Sequence, residues 1–270
     1  MNEDHLRVMI AREIKSLGQK WRKRWHKNHG FSVDEKAPND YVTSWDYVIQ
    51  KELISVITEA LPNSGVLSEE LNDTSALPNY EVSWILDPID GTANLMHHHP
   101  HFAISLALAV YEEIRIGWVY DFLRDELFTA TRGCGAWLNN RRIHVSTTKE
   151  LRHALVAIGT KVIKSDADVL SRWNPIFQKT QALRLAGSAA LDLAWIACGR
   201  LDGYVEEQVF PWDWAAGHLI VLESTGLVTT WNMAEPSLRM HEQTLVAGNT
   251  WIHNELKPLI PALKNDIPSV

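Results

Sequence analysis

Residues 81–92 read EVSWILDPIDGT: a short β-prone run, Glu81 to Leu86, that delivers Asp87, Pro88, Ile89, Asp90, Gly91 and Thr92. Two carboxylates three residues apart, where a strand turns into a helix, converge on one site, and the Ile89 carbonyl can turn the same way. Oxygen-rich donor sets of this kind suit hard cations such as Mg²⁺ rather than Zn²⁺. Gly91 permits close backbone approach, and the amides opening the helix expected to run to about His97 form an anion cradle. Taken alone, the segment reads better as an Asp-Gly turn with a helix cap.

Two further segments carry acids to element ends. Ser68-Glu69-Glu70 closes a short strand expected at 64–67, and Pro211-Trp212-Asp213-Trp214-Ala215-Ala216-Gly217 opens an otherwise apolar helix. A carboxylate leading a buried helix is costly unless it is paired or metal-bound, although a simple cap accounts for a lone one. The joint occurrence of the three segments favours a cation site.

Around these segments the periodicity predicts an α+β chain. Leu6, Ile10, Ile14, Leu17, Trp21 and Trp25 share one face of a helix over 3–27, with Gly30 beyond its end. Residues 31–42 read as a loop or loose hairpin. Thr43 and Asp46 form a capping box for a helix burying Ile49, Leu53, Val56, Ile57 and Ala60. Strand signals follow at 102–110, 114–120, 126–131 and 136–143, with a hairpin turn at Asn139-Asn140. The second half alternates strands (154–158, 182–185, 203–206, 227–231, 244–247) with helices at 166–180, 189–198, 212–224 and from about 250. Two intimately packed halves, 1–147 and 148–270, are expected to form one unit, most metal ligands lying in the first and Asp213 with the substrate-side residues in the second.

The three acidic segments, together with Asp40-Tyr41-Val42-Thr43-Ser44-Trp45-Asp46 and Gly187-Ser188-Ala189-Ala190, resemble the ordered signatures of the inositol monophosphatase family over roughly residues 5 to 250. The resemblance implies a layered αβαβα sandwich and a Mg²⁺-dependent, lithium-sensitive phosphomonoesterase with two or three metal ions, Mn²⁺ being an alternative. It implies Glu69, Asp87, Asp90, Asp213 and the Ile89 carbonyl as metal ligands, and Gly91 and Thr92 as phosphate holders. Thr92 paired with Asp46 would orient or deprotonate the attacking water, with Glu69 as the rival. Lys36 would sit on a mobile loop over the site, and Ala189 and Glu206 would line the pocket for the alcohol portion. The implied substrate is inositol 1-phosphate or a related sugar or polyol phosphate. Alternatives are 3′-phosphoadenosine 5′-phosphate, histidinol phosphate and fructose 1,6-bisphosphate, the run Asp90-Gly91-Thr92-Ala93-Asn94-Leu95 leaning toward the inositol type. Two departures stand out: Ser68 replaces the usual glycine before the paired glutamates, and Glu207-Gln208 stand where relatives carry an apolar residue and then glycine.

Composition bounds the alternatives. The 33 acidic residues against 26 Lys and Arg, net −7, argue against a general nucleic-acid binder. The two cysteines provide neither a disulfide framework nor a thiolate cluster, and a reducing cytosol is expected. The charged first fifteen residues do not resemble a signal peptide, and the longest apolar run, Phe102–Tyr111, is too short for a membrane helix. His97-His98-His99-Pro100-His101 reads as a solvated connection rather than a zinc site, and Cys134, between two glycines, as a turn residue. The cations Lys20, Arg22, Lys23, Arg24 and Lys27 suit a helix C-terminus; as a contact surface they would serve a non-catalytic metal- or RNA-associated regulator retaining the fold. A homodimer is expected by resemblance, with exposed tryptophans among the twelve as its compositional correlate.

Overall fold

Strands apolar at both odd and even positions must be covered on both faces. In β4 (Val82–Asp90), β5 (Ala103–Val110) and β6 (Glu113–Asp121) the even-numbered Trp84, Leu86, Ile104, Leu106, Leu108, Ile116, Trp118 and Tyr120 enter one core. The odd-numbered Ile85, Ala103, Ala107, Ala109 and Val119 enter another. A computed structural model describes residues 3–27, 30–37, 40–71, 80–159, 169–239 and 243–260, with only the backbone of 169 and 170.

The first core is closed by α1 (Glu3–His26) and α2 (Ser44–Ala60), whose Ile10, Ile14, Trp21, Ile49, Leu53 and Ile57 are buried. Val56 and Ala60, expected inside, are only partly covered. The sheet has seven strands in the order β3 (Gly65–Ser68), β4, β5, β6, β7 (Glu126–Thr131), β8 (Gly135–Leu138) and β9 (Arg141–Arg142). The β3–β4 pair is parallel and the other neighbours are antiparallel. Asn139 takes a positive φ in the last hairpin, as an Asn-Asn turn allows.

The second core lies between this sheet and a five-stranded one ordered β11 (Ala182–Arg184), β10 (Leu155–Gly159), β12 (Gly203–Val209), β14 (Gln243–Gly248) and β13 (Leu227–Thr230). Helices α6 (Ala189–Ala197) and α7 (Pro211–Glu223) fill the space between, α7 lying on β4, β5, β6 and β7. Helices α5 (Asn174–Lys179) and α8 (Thr250–Leu256) cover the far face through Ile176, Ile252 and Leu256. The layers are therefore α, β, α, β, α. The two sheets draw on residues on either side of 147/148, yet α7 of the second half packs on the sheet of the first.

Small side chains let α7 approach. Gly117 in β6 faces it so closely that a Cβ there would stand 2.8 Å from the Ala216 carbonyl oxygen. Ser105 of β5 donates to the Trp212 carbonyl at 3.1 Å. These contacts set the first turn of α7, with Asp213, beside the end of β4.

Several expectations are corrected. The strand expected to stop at Leu86 runs on to Asp90, with a register shift between Asp87 and Asp90 against β5. The helix expected over 166–180 is two short ones, α4 (Val169–Arg172) and α5, because Pro175 cannot continue a turn into the preceding helix; its expected start at 166–168 lies outside the described residues. Of the two readings of 31–42, loop or loose hairpin, the hairpin holds: β1 (Val33–Ala37) pairs antiparallel with β2 (Asp40–Thr43). His101, expected to be solvated, is buried and lies 3.5 Å from the buried Asp192. Of the tryptophans only Trp251 is exposed. Among the described residues, no helix is long and apolar enough to cross a membrane.

Candidate metal and phosphate site

Strand β4 ends with both its acids turned to one place. Asp87 and Asp90 are buried, and with Asp213 of α7 they bring carboxylate oxygens within 4.8 Å of one another. Local bonds hold each in place. Asp87 accepts the Ile89 N–H at 2.9 Å. Asp213, third residue of α7, accepts the Phe210 N–H at 2.8 Å, so it caps the helix while facing the cluster. One oxygen of Asp90 accepts from the Ser188 hydroxyl and from the Ala190 N–H at 2.8 Å, both at the opening of α6.

Burial and mutual repulsion raise the proton affinity of this cluster. Asp87 is pushed well above the usual carboxylate range by desolvation, then by the charges of Glu69, Asp90 and Asp213. Asp90 is pushed to about 7 by desolvation, against its bonds to Ser188 and Ala190. No Lys or Arg of the described residues forms an ion pair with Asp87 or Asp90. An all-oxygen donor set of converging acids fits a hard divalent cation.

Glu69 stands beside this trio rather than in it. It opens a 3₁₀ turn after β3 and accepts from Lys36 Nζ at 3.1 Å, while Glu70, almost fully buried, accepts from the same ammonium at 3.0 Å. Lys36 is carried by β1, where it is the one partly buried residue, and Asp40 of β2 lies 3.7 Å from its ammonium. Burial and Glu69 push Glu70 to about 7.

Gly91 follows Asp90 with φ +97, a left-handed conformation that favours glycine, and a Cβ there would stand 3.0 Å from the His101 carbonyl oxygen. Helix α3 (Thr92–Met96) starts immediately after it. Thr92 Oγ1 lies 3.2 Å from Asp46 Oδ1 and 3.0 Å from the Ile89 carbonyl oxygen, a shared hydroxyl contact to two acceptors. Asp46 completes the predicted capping box by accepting from Thr43. Desolvation pushes Asp46 to about 6 against these bonds.

Between the sheets, Ala189 is buried as the first residue of α6, between the two residues that bind Asp90. Glu206 of β12 accepts from Tyr204 Oη, and its charge is felt at Asp90. Its carboxylate occupies the space over Gly159 on the neighbouring strand. Gln208 adopts φ +59 at the irregular end of β12, so the position where relatives carry glycine keeps a glycine-like backbone. Glu207 is ion-paired with Arg172 at 3.3 Å.

The sequence shows Gly187-Ser188 and Asn94 only as parts of segments that resemble the family, with no role at the site for either. The Ser188 hydroxyl caps α6, accepting the Leu191 N–H at 3.4 Å, and donates to Asp90. Asn94 Nδ2 lies 2.7 Å from the His101 and Ala186 carbonyl oxygens and 3.2 Å from that of Gly187. Nothing local in the sequence signals either link, since the partners lie 98 and 92 residues away.

The profile of the inositol monophosphatase family matches residues 2–266, and the chain belongs to that family. It is 37% identical over 233 residues to the Nus factor SuhB of Haemophilus influenzae, covering 86% of this chain and 87% of that protein. It is 33% identical over 256 residues to the inositol monophosphatase of Dictyostelium discoideum, covering 92% of each. The crystal structure of the extragenic suppressor protein suhB from Bartonella henselae superposes with a TM-score of 0.87 at 32% identity, covering 97% of this chain and 100% of that one.

Proposed function

We propose that this protein hydrolyses a phosphate monoester with the help of Mg²⁺, the substrate being inositol 1-phosphate or a related sugar or polyol phosphate. The observation carrying the reading is the convergence of Asp87, Asp90 and Asp213, with no Lys or Arg of the described residues paired to Asp87 or Asp90. These three, with Glu69 and the Ile89 carbonyl, would hold two or three cations. Bound there, the cations supply positive charge for a near-dianionic phosphate and acidify the attacking water.

The chain's own groups do the rest. Gly91 and Thr92 hold the phosphate at the opening of α3. Thr92 and Asp46 orient the water and take its proton: the hydroxyl and carboxylate are within 3.2 Å, and burial has raised the basicity of Asp46. Glu69, the rival base, is engaged by Lys36. Ala189 and Glu206 face the alcohol portion, and Glu206 accepts hydroxyls there as it accepts Tyr204 Oη. Positioning and charge stabilisation suffice for transfer to water without a covalent intermediate. Adenosine 3′,5′-bisphosphate, histidinol phosphate and fructose 1,6-bisphosphate are the competing substrates, and a homodimer is the proposed assembly.

Phosphate release from inositol 1-phosphate, with and without Mg²⁺, tests the reading. Release that requires Mg²⁺ supports it, and equal background release in both conditions refutes it. A second reading is favoured by one observation: relatives of more than a third identity are titled Nus factor SuhB. On that reading the chain is a non-catalytic regulator whose basic end of α1 is the contact surface. In the structure Lys20 is engaged by Glu52, and Arg24 lies over the Trp21 ring at 4.9 Å. Light scattering of the purified protein checks the dimer.

A further inference from the structure

The segment 90–94 and the opening of α6 are joined by two opposite sets of bonds. In one direction Ser188 Oγ and Ala190 N donate to Asp90. In the other, the Asn94 amide lies 2.7 Å from the Ala186 carbonyl oxygen and 3.2 Å from that of Gly187, the two residues immediately before Ser188. The same amide reaches back to the His101 carbonyl at 2.7 Å, the oxygen against which Gly91 is packed. Asn94 therefore ties three backbone segments together at one nitrogen: α3, the 97–101 connection and the turn into α6.

The consequence falls on Asp90. A buried carboxylate with one oxygen held by Ser188 and Ala190 presents the other in a fixed direction only while the α6 opening stays fixed. Ser188 is the cap of α6, and its preceding turn is held from this side by the Asn94 contacts to Ala186 and Gly187. We infer that Asn94 is a positioning residue of the cation site, acting through residues 186–188 to aim the Asp90 carboxylate. It touches neither substrate nor cation. The inference rests on the cation-binding reading above.

The test is a double-mutant cycle read in Mn²⁺ affinity, measured from the electron paramagnetic resonance signal of free Mn²⁺ over the full-length protein. Removing an outer-shell partner of a metal ligand costs about 10- to 100-fold in metal affinity. Asn94→Ala and Ser188→Ala are each expected to weaken Mn²⁺ binding about tenfold or more, and the double variant to be no more than about threefold weaker than the weaker single. In turnover, the Mg²⁺ requirement rises while kcat at saturating Mg²⁺ is largely restored, a rescue that general unfolding would not show. Should Asn94→Ala fail to fold, Asn94→Asp, which keeps the volume and removes the donor, takes its place in the cycle. Unchanged Mn²⁺ affinity in the Asn94 variant, or strictly multiplicative losses in the double variant, overturns the inference while leaving the cation site standing. A wild-type protein that binds no Mn²⁺ overturns the cation-binding reading itself.

Discussion

Acids near the ends of β4 and β12 are treated in opposite ways. At the end of β4, Asp87 and Asp90 are buried together with no Lys or Arg of the described residues paired to them, and their proton affinities rise. At the end of β12, Glu207 is paired with Arg172, and Glu206 is satisfied by Tyr204 Oη. In the second arrangement Glu207 has a cationic partner within the protein, while Glu206 has a hydroxyl donor and its charge still reaches Asp90. The first is compensated only by protons or by a cation from outside, because buried like charges disfavour their own ionisation. Compensation, rather than the number of acids, separates a cation site from a polar wall of the pocket.

Breaking the first arrangement has the largest consequence. Asp90→Asn keeps the side-chain shape and removes a ligand charge, and turnover is expected to fall by about a thousandfold or more, roughly 4 kcal/mol of transition-state stabilisation. Circular dichroism melting should show a folded variant. An active Asp90→Asn enzyme would refute the ligand assignment.

The next effect is in pH. A cation binds the carboxylate form, and Asp90 holds its proton up to about 7. Asp87 is raised in the same direction, so Mn²⁺ affinity should fall as pH drops below about 7, by roughly tenfold per unit for each proton displaced. The sign in the metal-free protein is opposite. Between the ordinary carboxylate range and about 7 the folded chain binds more protons than the unfolded one, so these groups contribute stability at low pH that is lost as pH rises. Titration calorimetry in two buffers of different ionisation heat reads the protons released.

Breaking the second arrangement should cost less and leave the cation untouched. Arg172→Ala leaves Glu207 without its guanidinium in a mostly covered setting, and about 1–2 kcal/mol of stability should be lost in thermal melts. Mn²⁺ affinity should not change; a loss there would show that the two acid groups are coupled. The smallest effect is at Gln208. Its left-handed backbone strains any residue with a Cβ, and Gln208→Gly should gain about 0.5–1 kcal/mol in denaturant unfolding.

The same contrast explains how much could be read from the sequence. Asp87, Asp90 and Asp213 were legible because their residue types name their chemistry and their segments sit at element ends. The Thr43–Asp46 capping box was legible because it is local. The departure at Glu207-Gln208 was visible, but its outcome was not: the backbone kept its conformation, φ +59, and the new acid found Arg172 from α4. Ser188 and Asn94 stayed hidden, since their roles depend on contacts across about a hundred residues of chain. The buried His101 was misread because its neighbours His97, His98 and His99 are exposed as expected while it turns inward. The five layers were expected from the family resemblance alone; the structure supplies the physical reason, since β4, β5 and β6 are apolar at both parities and leave no face open to water.

The central claim is that Asp87, Asp90 and Asp213 bind divalent cations. Crystals soaked in Mn²⁺ and measured for anomalous scattering test it directly. The account predicts at least one strong anomalous peak bonded to oxygens of Asp87, Asp90 and Asp213, absent in Asp90→Asn. No peak there at saturating Mn²⁺, with those carboxylates protonated or paired to protein groups instead, would contradict it.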